Sequence, residues 1–268
     1  MAYIDSFAIT STLKVFRYFN STQQECKQMT RKLPIIITGG GQRLGLACAK
    51  KLLSQGGNVI VTYRNNRENL ASLESQGAVC IKADFSTVSG VEAFITHIQE
   101  HYPALGGIIH NASEWVSEDS GEDAAWLMEK MWQVHVFAPY RMNLAFEALL
   151  CAGSEQDGQA DIIHMTDYVA EKGSDKHIAY AASKAGLANL THSFAKRFAP
   201  HIKVNSIAPS LLMFNHGDDP EYRTKALNKS LLRTEPGEQE GVLAVQYILN
   251  SRYMTGRTLS LDGGRHLV

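Results

Sequence analysis

The chain has 268 residues, 44% of them hydrophobic and 20% charged, a composition that belongs with folded globular proteins and excludes a disordered chain. With 26 basic and 27 acidic residues the net charge is -1, so no global field draws the protein onto nucleic acid or anionic lipid. No apolar run approaches the roughly 20 residues that cross a bilayer, and Cys26, Cys48, Cys80 and Cys151 form neither a C-x-x-C pair nor a Cys/His cluster with metal spacing. A cytoplasmic protein with no structural metal, disulfide framework, nucleic-acid partner or membrane partner is expected.

In chain order, residues 1–32 lack the continuous apolar segment of a secretory signal. They are expected to be an N-terminal extension, poorly ordered or upstream of the true start, ahead of a single domain over 33–268. From Leu33 onward, apolar runs alternate with segments of helical period. The runs are Leu33-Thr38, Asn58-Tyr63, Val79-Ala83, Gly107-His110, Asp161-Met165, Ile202-Ile207 and Arg257-Leu261. Several are nearly continuous Ile and Val, the pattern of parallel strands covered on both faces. Helices are predicted near Arg43-Ser54, Arg67-Gln76, Val91-His101, Asp123-Leu150, Tyr180-Phe198 and Glu238-Asn250. The alternation predicts an α/β fold: a Rossmann-type, doubly wound, parallel seven-stranded sheet with helices on both faces. Two connections are long, Thr166-Ile178 and Ser210-Glu235 with a short helix around Glu221-Asn228, and long loops in compact domains commonly carry function.

The first strand runs into Thr38-Gly39-Gly40-Gly41-Gln42-Arg43-Leu44-Gly45 and then into a helix rich in small residues, Ala47, Cys48 and Ala49. Glycines let the backbone turn sharply and approach a pyrophosphate, and the helix start presents N–H groups to it. In a strand–turn–helix context this predicts a dinucleotide site through Gly39, Gln42, Arg43, Leu44 and Gly45. An NAD-preferring fold places an acid at the end of the second strand. Here the strand ends Tyr63-Arg64, with Arg67 close behind. Guanidinium groups match a 2′-phosphate, so the expected cofactor is NADPH.

Tyr180 and Lys184 lie four apart on a helical segment and share a face. A nearby ammonium favours the phenolate, so the Tyr180 pKa is expected below its ordinary value near 10. The glycine turn, Tyr180-Ala-Ala-Ser-Lys184 and Asn205-Ser-Ile-Ala-Pro209 together resemble the short-chain dehydrogenase/reductase family. That resemblance implies that Asp84 and Phe85 contact adenine, that Asn111 and Ala112 hold the cofactor with Pro209, and that Lys184 also binds the nicotinamide ribose.

Two departures from the family's pattern are informative. Arg43 stands where the turn usually has its middle glycine. Asp167 stands thirteen residues before Tyr180, where most members have a serine. A serine would donate to a substrate carbonyl, whereas an ionised aspartate only accepts. Both substitutions resemble the pteridine reductase branch, and Trp115 falls where that branch stacks an aromatic ring on the pterin. The implied catalytic set is Tyr180, Lys184 and Asp167, with Arg43, Trp115, Asp167 and Tyr180 on the substrate.

The runs His164-Met-Thr-Asp-Tyr168, Gly173 to Lys184, Ala208-Pro-Ser-Leu211 and Leu261-Asp-Gly-Gly-Arg-His-Leu267 narrow the resemblance to bacterial members of that branch, in which the chain starts near the position of Met29. What this implies is NADPH-dependent reduction of 7,8-dihydromonapterin to tetrahydromonapterin, with weaker dihydrofolate reductase activity, in a homotetramer. A ketone or 3-oxoacyl reductase and a non-catalytic NADP-binding sensor are the alternatives. The proton source for pterin N5 is open between Tyr180 with Asp167, Arg43, and a bound water. His135 occupies a helical site where the family usually has asparagine; it either titrates near neutral pH or packs as a satisfied core residue.

Overall fold

The computed structural model describes residues 32–268, so the extension predicted for residues 1–32 lies outside the described residues apart from Lys32. Seven parallel strands form one sheet in the order β3-β2-β1-β4-β5-β6-β7: β1 (Ile35–Ile37), β2 (Val59–Tyr63), β3 (Val79–Lys82), β4 (Gly107–His110), β5 (Ala160–Met165), β6 (Ile202–Pro209) and β7 (Thr258–Leu261). Each coincides with a predicted run. Alternating side chains along the strands feed two cores. Ile36, Ile60, Ile108 and Ile162 join the core on one face, and Ile35, Ile37, Val61, Ile109 and Ile163 join the core on the other. The expectation of strands covered on both faces fails at β3, where Val79 is 45% exposed. An edge strand has a neighbour on one side only, and its N-terminal end projects past the helices.

One layer holds α1 (Arg43–Ser54), α2 (Asn69–Ser75) and α10 (Glu238–Asn250), which bury Leu52, Leu73 and Ile248. The opposite layer holds α3 (Val88–His101), α5 (Ala138–Ala145), α6 (Glu147–Asp157) and α8 (Ile178–Phe198), which bury Ile98, Met142, Leu150 and Phe194. On α8, Leu187 and Phe194 are core residues, with Leu190 packed against that core.

The single helix predicted over Asp123-Leu150 is instead broken. It runs as α4 (Ala124–Trp132), a π turn over Gln133–Phe137, then α5 and α6. The cause is Pro139 in the first turn of α5, which has no N–H to close an α-helical bond and whose ring crowds the preceding turn. The Ala138 N–H bonds the Gln133 carbonyl, one residue farther back than an α-helix would. Within the predicted loop Thr166-Ile178 lies a single helical turn, α7 (Val169–Lys172), and the short helix of the later loop is α9 (Pro220–Leu227). Asp219 caps α9, accepting from the Tyr222 N–H at 2.8 Å, with Pro220 at its start.

A string of polar side chains crosses the core between sheet and helices. His110 Nε2 lies 2.7 Å from Asn143 Oδ1, the Asn143 amide 3.1 Å from His164 Nε2, and His164 Nδ1 2.8 Å from Thr191 Oγ1. The Thr191 hydroxyl donates to the Leu187 carbonyl at 3.3 Å. With its one proton so placed, Thr191 accepts from His164, and every other direction in the string follows. Burial holds both rings neutral, pushing His110 down to about 4 and His164 well below the usual histidine range.

Gly153 packs α6 against the segment leading into β4: an added Cβ would lie 1.9 Å from the Leu105 carbonyl oxygen. Backbone cannot yield as a side-chain tip can. The substitution Gly153→Ala is expected to destabilise the fold by about 1–3 kcal/mol, measured as a lower urea midpoint at unchanged slope.

Candidate active site

The strand order reverses between β1 and β4, which opens a crevice at their carboxyl ends. Thr38, just past β1, ties this edge together. Its Oγ1 accepts the N–H groups of Asn111 and Ala112, each at 2.9 Å, and donates to the Ile109 carbonyl at 3.4 Å. The Asn111 side-chain amide donates back to the carbonyls of Thr38 (3.0 Å) and Gly39 (3.1 Å). Gly39 has φ 66, and a Cβ there would lie 2.9 Å from Ala112 Cα. At Gly45 a Cβ would lie 2.5 Å from Asn111 Nδ2. Both glycines are therefore required by the close approach of the two strand ends.

Above this floor opens a cavity of about 490 Å³. Its lining brings together the sequence-predicted Gly39, Gln42, Arg43, Leu44, Gly45, Tyr63, Arg64, Arg67, Asp84, Phe85, Asn111, Ala112 and Trp115, and adds Ser113, Glu114 and Asn215. Arg43 sits in the left-handed region at φ 50, the conformation that favours the glycine it replaces. Its guanidinium bonds Asn215 Oδ1 and, at 3.1 Å, the Met213 carbonyl, so the turn is tied to the loop after β6.

The end of β2 has no carboxylate of its own, and the acid that pairs with Arg64 comes from elsewhere in the chain. Glu114, from the segment after β4, places one oxygen 3.0 Å from Arg64 and the other 3.0 Å from Lys130. Proximity along the sequence carried no signal for this pairing, because the carboxylate comes from a different strand end. Asp84 bonds the Ser86 N–H and hydroxyl at 3.0 and 2.7 Å, which with the Arg64 and Lys130 charges outweighs burial and lowers its pKa. Trp115 is 65% exposed and meets His177 edge-on, with ring centroids 5.1 Å apart.

Tyr180, Lys184, Asp167 and Pro209 are not among the residues lining that cavity. They gather at its inner side, where the starts of α7 and α8 meet the ends of β5 and β6. The Tyr180 hydroxyl donates to Asp167 Oδ2 at 2.9 Å, and Asp167 Oδ1 accepts the Val169 N–H at 3.0 Å. The Lys184 ammonium donates to the Met165 carbonyl at 2.8 Å and lies 5.5 Å from the Tyr180 ring centroid. The Pro209 carbonyl accepts the Tyr168 N–H at 3.0 Å, and the Arg265 guanidinium stacks on the Tyr168 ring at 4.3 Å.

Protonation here runs against the expectation of a phenolate-favouring lysine. Burial, then the Asp167 charge and its hydrogen bond, push the Tyr180 phenol well above the usual tyrosine range. Burial likewise raises Asp167, and it lowers Lys184 to about 8, the Asp167 charge opposing. Tyr180 is thus a protonated donor held by a carboxyl group. His135, carried inward on the π turn, packs edge-on against Tyr180 with centroids 5.4 Å apart. Burial and the Lys184 charge hold it well below the usual histidine range, so of the two roles open from sequence it has the satisfied, neutral one. Its ring nitrogens lie 2.8 Å from Ser113 Oγ and 2.8 Å from Ser183 Oγ, two partners that sequence reading did not single out.

The family model for the short chain dehydrogenase matches residues 34–216, and the chain belongs to the short-chain dehydrogenase/reductase family. Within it, the chain is 54% identical over 235 residues to the dihydromonapterin reductase of Citrobacter koseri, covering 88% of this chain and 97% of the relative. It is 53% identical over 238 residues to that of Escherichia coli strain K12, covering 89% and 98%. Among solved structures, FolM Alternative dihydrofolate reductase 1 from Brucella canis, complexed with NADP, superposes with a TM-score of 0.79 at 24% identity, covering 90% of this chain and 96% of that one. The Pseudomonas aeruginosa RhlG/NADP active-site complex gives 0.82 at 22%, covering 91% and 100%. These two share the fold.

Replacing Thr38 with valine strands two N–H groups at the crevice edge, at about 1–3 kcal/mol for each buried group left unpaired. In Thr38→Val, amide exchange at Asn111 and Ala112 is expected to quicken by about tenfold or more, with β7 amides unchanged.

Proposed function

We propose that this chain is an NADPH-dependent reductase of dihydropterins, converting 7,8-dihydromonapterin to tetrahydromonapterin and acting more weakly on dihydrofolate. The observation that carries the reading is the 2.9 Å bond from the Tyr180 hydroxyl to Asp167, a carboxyl group where a ketone reductase needs a hydroxyl donor. Relatives above 50% identity along nearly their whole length carry the name dihydromonapterin reductase, which supports the choice of substrate.

The residues present fit the cofactor. The glycine turn, through Gly39, Gly41 and Gly45, lines the cavity and offers its backbone to a pyrophosphate, and the cavity has the size of a nucleotide site. Arg64 and Arg67 line it where a 2′-phosphate would lie. When bound, NADPH supplies the hydride. The protein's part is to align, exclude water and deliver a proton. Trp115, with most of its ring exposed, offers a face on which a flat heterocycle stacks. Asp167, as a carboxylate, accepts from ring N–H groups. Tyr180, kept protonated by its surroundings, has the proton to give to N5. Lys184 keeps its charge next to the phenol, its ammonium held by the Met165 carbonyl.

We further propose that the domain works in the cytoplasm as a homotetramer. No helix among the described residues is long and apolar enough to cross a membrane. Exposed Trp132 and Tyr140 on one helical surface, and Leu243 and Tyr247 on α10, supply apolar area of the kind that subunits cover.

Steady-state assays with NADPH and NADH against dihydromonapterin, dihydrobiopterin, dihydrofolate and a 3-oxoacyl thioester test the reading. The highest kcat/KM is expected for NADPH with dihydromonapterin; faster turnover of the thioester than of any pterin would overturn it. Loss of the acid in Tyr180→Phe is expected to lower kcat by about 10²–10⁴. In Asp167→Asn the charge that raises the phenol is gone, so the Tyr180 pKa falls. The basic limb of the rate profile, where the phenol loses its proton, then moves to lower pH.

A further inference from the structure

Three hydrogen bonds decide where the protons of His135 lie. The Ser183 hydroxyl donates to the Tyr180 carbonyl at 2.7 Å, so its oxygen receives a proton from His135 Nδ1, 2.8 Å away. At the other nitrogen, the Glu114 backbone N–H, which can only donate, points at Nε2 from 3.4 Å. Nε2 is therefore bare, and the Ser113 hydroxyl at 2.8 Å must also donate to it. The two ends agree independently on one tautomer, Nδ1–H with an accepting Nε2. The chain of bonds ends on the Tyr180 carbonyl, an acceptor with no proton to pass on. On the α8 side the string therefore carries no proton onward, and the imidazole itself is buried and neutral.

We infer that His135 is a positioning residue for the proton-transfer site, clamping the segment after β4 to α8 through Ser113 and Ser183 and taking up the only proton of the Ser113 hydroxyl. The inference deepens the reductase reading and rests on it. Ser113 lines the cofactor cavity, while Ser183 lies one residue before Lys184 on the helix that carries Tyr180. The clamp thus sets the distance between the cavity wall and the phenol. It also draws toward the imidazole the Ser113 hydroxyl, whose contact with Tyr180 opposes the burial that raises the phenol. The π turn makes this reach possible, because the extra residue in the turn before Pro139 swings His135 inward between the two serines.

The test has a spectroscopic arm and a kinetic arm, both on the full-length protein. Nitrogen-15 NMR of the His135 ring is expected to show a protonated Nδ1 and a bare Nε2, and the opposite tautomer would overturn the clamp. In kinetics, Ser113→Ala, His135→Phe and the double variant form a cycle. Each single change is expected to lower kcat about tenfold through misplacement, with the KM for NADPH little changed, and the double variant is expected to be no worse than either. Losses that multiply, or wild-type kcat in His135→Phe, would overturn the inference. If His135→Phe does not fold, Ser183→Ala takes its place in the cycle and is expected to mix the ring tautomers, an unmixed spectrum counting against the clamp. A wild-type protein that reduces no pterin would sink the reductase reading, while the tautomer measurement would still judge the clamp.

Discussion

A phenol donating a hydrogen bond to a buried carboxyl group sets the character of this site. Tyr180 and Asp167 share a hydrogen bond in surroundings that disfavour charge on either, so the pair resists losing its proton at neutral pH. Lys184 supplies compensation: its own ammonium is destabilised by burial and steadied by Asp167. Asp167 is the hub of the unit these three groups form: its charge acts on both Tyr180 and Lys184, so removing it changes the protonation of both. Such a unit suits proton donation to a ring nitrogen better than abstraction from an alcohol.

Around that unit the fold provides rigidity from three directions. β5 ends at the carbonyl that holds Lys184, α8 carries both ionisable groups of the helix face, and the broken helix before α5 brings His135 against the phenol. The π turn costs one regular helical hydrogen-bond register and gains an inward-facing imidazole. On the cofactor side, Thr38 and Asn111 join the ends of β1 and β4 by side chain to backbone bonds, beside the bond from the Thr38 N–H to the Ile109 carbonyl.

The architecture was legible because the strands are short, continuous Ile/Val runs and the helices between them have a clear period. The seven strands and the terminal helix Glu238–Asn250 appear where their residues predicted. The helix after β4 was misread as one piece since periodicity alone weighs apolar spacing and discounts a single proline. In the site, Tyr180, Lys184 and Asp167 could be found by spacing along the chain, and the glycine turn by local composition. The direction of the Tyr180 shift could not, because burial outweighs a lysine four residues away and burial is a property of the packed chain. Glu114 and the serines flanking His135 were equally hidden: their partners lie 50, 22 and 48 residues distant.

The string from His110 through Asn143 and His164 to Thr191 has an evolutionary corollary. Because each side chain in it can point its proton only one way, no link can be exchanged by itself for an apolar residue without stranding its neighbour in a dry interior. Drift at these four positions must proceed by concerted replacement, so descendants of this chain should keep the set whole or lose it whole, and a lineage caught with half of it would carry the instability as a visible scar.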